Sequence, residues 1–288
     1  MELRVEQMPH ACALQMQAVY STLKKAEKKA ADFLLACTGG VYRLSIQEFA
    51  SQAGCSEATV VRLSKKLGYE GFPELKRDFA DFEASPEIHE YTNIQDDDSP
   101  QEVMKKVFES SVQGLLDTLD MLNDAEYQKA LALLLDAERI LFCGLGDAGA
   151  VAMEAHLRFL RIGVASLYAN DPDTQLIYAT QLRPKDVVFA ISHSGKSRQI
   201  YDTVKVAKDH GAQVILITNY PISPLGKKSD VILQTAVFSK NMTGEIMSKR
   251  ITALCIIESM YLNFMLQSDQ QYANNLRHAN ETIAMNKL

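Results

Sequence analysis

Apolar residues follow two different rhythms along this chain. From the start to about Leu135 they recur three and four residues apart, which predicts helices with one buried face, and no stretch reads convincingly as a strand. From Arg139 onward, short apolar runs alternate with helical stretches. The runs are RILFCGLG, VASLYA, DVVFAIS, QVILITN and DVILQTA. They are rich in Val, Ile and Leu and lack polar alternation, the mark of strands covered on both faces. The pattern predicts an all-α helix-turn-helix domain followed by an α/β domain, a five-stranded parallel sheet flanked by helices in a three-layer sandwich. Between the two rhythms, residues 84–100 (ASPEIHEYTNIQDDDSP) hold two prolines and three consecutive aspartates, with poor periodicity. This stretch reads as a linker or hinge. It separates a helical domain at residues 1–83 from a second domain at 101–288, which opens with helices at about 101–122 and 125–137.

Residues 46–67 meet the requirements of a helix-turn-helix. The motif needs a small residue where its helices cross, a residue that tolerates a left-handed turn, and apolar residues that seal the angle. Ala50 is the small residue and Gly54 the turn, while Ile46, Phe49, Ala53, Cys55, Val60 and Leu63 form the seal. Ser56 follows as an N-cap for the second helix. Ser56, Glu57, Ala58, Thr59, Val61, Arg62 and Lys65 are left on or near the outward face. Short, polar and mixed side chains there suit the major groove of DNA, with Arg62, Lys65 and Lys66 meeting phosphates or guanine edges. A plain helical hairpin with a solvated face would not need this coincidence of small residue, turn and seal. The formal net charge of −6 excludes a protein that grips DNA with its whole surface. Between residues 22 and 77, however, ten basic residues stand against six acidic ones, a local excess of +4.

Two strand-to-helix turns in the second half carry candidate chemistry. RILFCGLG ends in Gly144-Leu145-Gly146-Asp147-Ala148-Gly149, a turn whose backbone N–H groups can approach an anion at the start of a helix. The glycines at 144, 146 and 149 meet the G-x-G-x-x-G spacing, but the dinucleotide fingerprint lacks its acid: no acidic residue closes the second strand before Asp171, so no nicotinamide cofactor is expected. The other turn, Ser192-His193-Ser194-Gly195-Lys196-Ser197, puts three hydroxyls where a strand gives way to a helix. Hydroxyls and amides so placed suit the three oxygens of a phosphate. A serine nucleophile fits less well, because G-x-S-x-G would need glycines at 192 and 196. His193 reads as a solvated loop histidine. The histidines lie too far apart in sequence for ligand spacing, so no metal, no cofactor and no catalytic residue is expected.

The segments AEKKAADFLL and LSIQEFASQAGCSEATVVRLSKKLGYEGFPELKRDFA resemble the N-terminal domain of RpiR-type (MurR/RpiR) bacterial transcriptional regulators. SEATVVR, LGYEGF at residues 67–72 and the following ELK carry the likeness. In that family a sugar-isomerase-type (SIS) phosphosugar-binding domain follows, and the alternating half of this chain is similar to one. The resemblance covers roughly residues 20–270. It implies a flavodoxin-like second domain and a cytoplasmic, non-enzymatic regulator. The implied partners are a double-stranded DNA operator, a phosphorylated sugar or sugar-acid effector, and further copies of the chain in a homodimer or homotetramer. It aligns Ser192, Ser194 and Ser197 with the family's S-x-S-G-x-T/S phosphate loop, which also contains His193 and Lys196. Gly146, Asp147 and Ala148 fall at the sugar end, and Glu245 in KNMTGEIMSKR would hydrogen-bond a sugar hydroxyl.

Two departures from the family pattern bear on the ligand. A hydroxyl residue is usual where Ala148 stands, and an acidic one where Lys196 stands. Either the effector is more anionic, with a carboxylate beside its phosphate, or the pocket has decayed. A sugar-phosphate isomerase or lyase is the alternative function, with Glu245 or His193 as base, although an isomerase has no use for a DNA-reading helix. A DNA-binding scaffold with a vestigial pocket is the third.

Cysteines stand at 12, 37, 55, 143 and 255, an odd count with no C-x-x-C pair. Cys37, Cys55, Cys143 and Cys255 lie in apolar contexts and read as buried free thiols of a reducing cytoplasm. ITALCIIESMYLNFMLQ is interrupted by Glu258 and Asn263, so it reads as a core or dimer helix rather than a membrane span. Residues 1–9 hold charges and no long apolar run, so no signal peptide is expected.

Overall fold

A computed structural model of the chain describes residues 8–37, 40–84, 94–238 and 248–286. Its packing divides into two units, Met1–Asn93 and Ile94–Leu288. The boundary falls inside the proline- and aspartate-bearing stretch at 84–100, of which residues 85–93 lie outside the described residues.

The first unit contains helices α1 (His10–Val19), α2 (Lys25–Ala36), α3 (Ile46–Ala53), α4 (Glu57–Lys66) and α5 (Phe72–Ala84). Helix α3 starts with a reciprocal capping box, in which Ser45 Oγ accepts from the Glu48 amide and Glu48 accepts from the Ser45 amide. It stops at Gly54, whose φ of +63° is the left-handed turn anticipated there. The Cys55 amide closes the end by donating to Ala50 O at 3.0 Å. Phe49 packs edge-on against Phe33 and Phe72, at 4.9 and 5.2 Å between ring centroids, and locks the helix pair to α2 and α5.

The second unit opens with α6 (Pro100–Met121) and α7 (Asp124–Asp136), within a residue or two of expectation. Then follow β1 (Ile140–Cys143), α8 (Asp147–Arg161), β2 (Ser166–Tyr168), α9 (Pro172–Thr180), β3 (Val187–Ile191), α10 (Arg198–Asp209), β4 (Gln213–Thr218) and β5 (Val231–Gln234). Helices α11 (Lys249–Gln267) and α12 (Gln270–Ala284) end the unit. All neighbouring strands pair in parallel, in the order β2-β1-β3-β4-β5. The sheet separates two apolar clusters. Phe142, Phe159, Phe189 and Phe264 belong to one, and Leu141, Val188, Val204 and Leu216 to the other. Each such fully buried side chain contributes roughly 2–3 kcal/mol.

Two expectations change here. The edge strands are not covered on both faces: β2 is half-exposed throughout, and β5 alternates between buried and half-buried positions, because no strand pairs beyond either among the described residues. Cys255 is exposed rather than buried, since it lies on the outer side of α11, and Cys37 and Cys55 are only half-buried, while Cys143 and Cys12 are fully buried. Burial pushes the Cys12 and Cys143 thiols up to about 12. The apolar helix α11 buries Ala253, Ile256, Ile257, Met260 and Phe264 in the sheet core, which explains its composition. Among the described residues no single helix is long and apolar enough to cross a membrane.

Candidate functional sites

The outward side of the helix pair is built by α4. Ser56 caps it by accepting from the Thr59 amide at 3.3 Å. Its Oγ also lies 2.9 Å from Thr59 Oγ1, which in turn accepts from the Arg62 guanidinium at 2.9 Å. Capping and arginine orientation are thus one hydrogen-bonded chain. Ser56, Glu57, Arg62 and Lys65 are exposed and Val61 is half-buried. Two residues expected on this face are not free to act there. Thr59 is only 2 % exposed, because its methyl group is enclosed while its hydroxyl serves Ser56 and Arg62. Lys66 turns inward to Glu27 on α2, with Nζ 2.8 Å from the carboxylate. Burial works to raise the Glu27 carboxyl pKa, but the hydrogen bonds from Lys66 and from the Lys24 amide outweigh it and hold it below the usual carboxylate range. Lys66 is therefore a strut between α2 and α4. The sequence hid this, because its partner is 39 residues away.

The second site is a cavity of about 320 Å³ at the carboxyl ends of the strands. It opens between β1 and β3, where the strand order reverses, the crevice in which open α/β sheets place their ligands. Leu145, Asp147 and Ala148 line it from the turn after β1, and Ser192, His193, Ser194 and Ser197 from the turn after β3. Thr218 and Thr235 close its floor, and Lys249 and Arg250 enter from the start of α11.

The turn after β3 is held in shape from below. His193 O accepts from the Asn219 amide at 3.0 Å and from Thr218 Oγ1 at 3.1 Å. Gly195 donates to Ser192 O, and its own carbonyl accepts from Leu225. Gly195 has φ +63°, and a Cβ there would lie 2.1 Å from Ser223 Oγ, so only glycine lets the turn approach that loop. The Ser192, Gly195 and Lys196 amides are used within the protein. Those of Ser194 and Ser197 have no partner among the described residues, and Ser197 makes no side-chain cap bond to α10. The first-turn amides of α10 are therefore also available to an anion.

Expectation and structure diverge at several residues. His193 is not a solvated loop histidine. Its Nε2 is sealed from solvent without a partner, and its ring stands edge-on to Tyr220 at 5.8 Å. Burial first, and the positive charge of Lys249 second, push its pKa down to about 4. Lys196 does not line the cavity; it is exposed, and only its backbone serves the turn. Gly146 contributes a positive φ of +58° as N-cap of α8 rather than a wall. Glu245 lies outside the described residues. Asp147 is in place, with its carboxylate 2.8 Å from Lys249 and 3.5 Å from Arg250. The hydrogen bond from Lys249 holds that carboxyl below its ordinary range. Lys249 and Arg250 were visible in sequence only as a basic pair opening an apolar helix, and nothing there joined them to residue 147.

A helix-turn-helix unit followed by a parallel sheet with a switch-point cavity defines a transcriptional regulator carrying a sugar-isomerase domain. Family models agree: residues 11–86 match the helix-turn-helix domain of the rpiR family, and residues 133–262 match the SIS domain. The chain is 31% identical over 267 residues to a helix-turn-helix-type transcriptional regulator of Thermotoga maritima, covering 92% of this chain and 95% of that one. It is 28% identical to the Escherichia coli transcriptional regulator HexR over 268 residues, covering 93% and 92%. The chain belongs to the rpiR family of helix-turn-helix transcriptional regulators. Its fold is similar to that of the Vibrio vulnificus NanR protein complexed with ManNAc-6P, with a TM-score of 0.60 and 22% identity, covering 97% of this chain and 99% of that one. The sugar isomerase domain of an RpiR transcription factor from Sphaerobacter thermophilus has a TM-score of 0.58 at 18% identity, covering 63% of this chain and all but 1% of its own length.

Proposed function

We propose that this regulator binds a phosphorylated sugar or sugar acid in the switch-point cavity and that the ligand sets its affinity for a double-stranded DNA operator. The observation that carries this reading is the turn after β3: a fixed bend, three hydroxyl residues, unpartnered amides and a helix start, all opening on one cavity. These are the elements that hold a phosphate without covalent chemistry. Ser192, Ser194 and Ser197 take the phosphate. Asp147 faces the sugar. On the other unit, Glu57, Val61, Arg62 and Lys65 meet the operator, with Ser56 and Thr59 orienting Arg62.

Residues 84–100 act as the hinge between the two functions. A ligand alters DNA affinity only by preferring one arrangement over another. Within the second unit, Ser248 Oγ lies 2.8 Å from Ser111 Oγ of α6, which links the rim of the cavity to the helix that follows the hinge. The protein works in the cytoplasm as a homodimer or homotetramer. An isomerase is less well served by His193, because a histidine with a pKa of about 4 is a weak base at neutral pH; the other candidate base, Glu245, lies outside the described residues.

Titration of the full chain with sugar phosphates, followed by operator binding with and without the ligand, tests the reading. Ser194→Ala should weaken ligand binding and blunt the response while leaving ligand-free DNA binding intact. Arg62→Ala should weaken operator binding and reduce its salt slope by about one. A Ser194→Ala protein with an unchanged response, or an Arg62→Ala protein with unchanged affinity and slope, would remove that residue from its role.

A further inference from the structure

The outward side of α4 is not uniformly polar. Glu57, Arg62 and Lys65 carry charge, but Ala58 and Val61 do not, and their spacing makes them neighbours on the helix surface. Ala58 is exposed and Val61 half-buried. Val61 is also one wall of an open depression beside the helix. Ile46 at the start of α3, Gly71, Phe72 and Pro73 at the start of α5, and Lys76 one turn along α5 complete its lining. Phe72 is fixed by its edge contact with Phe49 in the core of the unit, so this wall is in place before anything enters. Lys76 Nζ stands 6.0 Å from the centroid of the Phe72 ring, which keeps a cation beside the apolar surface. Ile46 is half-buried and Pro73 exposed, so apolar surface from three helices meets water here. A helix in the major groove finds one apolar group on the base edges, the C5-methyl of thymine.

We propose that Ala58 and Val61, with the depression beside Val61, are the thymine-reading part of the operator interface, and that Lys76 binds a backbone phosphate next to that thymine. The proposal rests on reading α4 as the helix that enters the major groove. Charge selects the occupant. Arg62 and Lys65 on α4 and Lys76 from α5 put cations around the apolar patch, which suits a methyl group carried on a polyanion. An apolar side chain of a partner protein has no use for three cations at its edge. The methyl leaves water for Val61 and Ala58, while Arg62, oriented by Thr59, remains free for a guanine edge or a phosphate. Deoxyuridine in the same place keeps every hydrogen-bonding group of thymine and lacks only the methyl.

The test starts with an operator selected by the full chain from a random duplex library. Each thymine of one half-site is then replaced singly by deoxyuridine, and binding is followed by fluorescence anisotropy. One replacement should weaken binding about fourfold, the loss expected when one methyl group is no longer taken out of water. In Val61→Ala the penalty at that position should fall below about twofold. The penalty is a ratio within each protein, so partial unfolding of a variant cancels from it. An effect of uridine on duplex shape alone would survive Val61→Ala undiminished. Lys76→Met should weaken binding to all sequences alike and lower the salt slope by about one, with the uridine penalty unchanged. The proposal is overturned if no uridine costs as much as about twofold, if the penalty persists in full in Val61→Ala, or if Lys76→Met keeps the wild-type salt slope. Arg62→Ala separates the two readings. If it loses affinity while no uridine matters, α4 still contacts the operator and only the thymine contact falls. If neither it nor any uridine changes the affinity, or if the selection enriches no sequence, the placement of α4 in the groove falls as well.

Discussion

At the scale of single residues, His193 is where the environment overrides the ordinary chemistry of the side chain. Its imidazole is largely buried, with Nε2 sealed from solvent, and burial pushes its pKa down to about 4 against 6.5 when free. The unfolded chain therefore binds the extra proton more readily. The stability held here is complete above pH 6.5, declines below it, and is gone once pH falls through about 4. The difference amounts to at most about 3 kcal/mol. Urea unfolding between pH 7.5 and 4.5 should show the loss in the wild type and a flatter profile in His193→Gln; parallel profiles would mean that the ring is not sealed. Nothing in the local sequence signals this. A histidine beside serines looks solvated until the Tyr220 ring is known to stand edge-on against it. Gly195 was legible as a turn residue, but its contact with the Ser223 loop was not, because that loop comes from a later part of the chain.

Elements were legible to the extent that their causes are local. The capping serines Ser45, Ser56 and Ser99 stand one residue before their helices, and Gly54 ends α3 where a left-handed residue was required. Buried strands announced themselves as apolar runs, and only the edge strands misled, because a run of Val and Ile does not say which strand lacks a neighbour. Contacts between distant elements were not legible, and the clearest case is the strut from α4 to α2. Removing Lys66 leaves the Glu27 carboxylate buried without its cation. Lys66→Met should cost about 2 kcal/mol in urea unfolding of the full chain, less than a fully enclosed pair because Lys66 is partly exposed. It should leave the salt slope of operator binding unchanged. A reduced slope with unchanged stability would return Lys66 to the DNA contacts. Arg62→Ala should do the opposite, with a stability change within about 0.5 kcal/mol.

At the scale of the whole molecule, the second unit carries an exposed apolar stripe. Met104, Phe108, Val112, Leu116 and Leu119 are all more than half exposed and recur along one side of α6. An apolar stripe of that length marks an association surface. A second copy is its natural occupant in this reading, since paired recognition helices match the two halves of a palindromic operator. Phe108→Glu with Leu116→Glu should shift sedimentation toward a single chain and weaken operator binding, while keeping the affinity for sugar phosphates. An unchanged sedimentation coefficient would assign the stripe another role. The overall charge of −6 against the local excess of +4 near the helix pair adds orientation to this picture. Approach to DNA is favoured with the helix pair leading, and raised salt should slow it.

The position of Cys255 has a practical consequence. It is the exposed one of five sulfurs, with Cys12 and Cys143 enclosed and Cys37 and Cys55 partly covered. It also lies on the same helix as Lys249, about 9 Å along the axis. A maleimide dye attached there would glow or dim with events at the mouth of the cavity, so occupancy could be followed by fluorescence with no tryptophan in the chain to interfere.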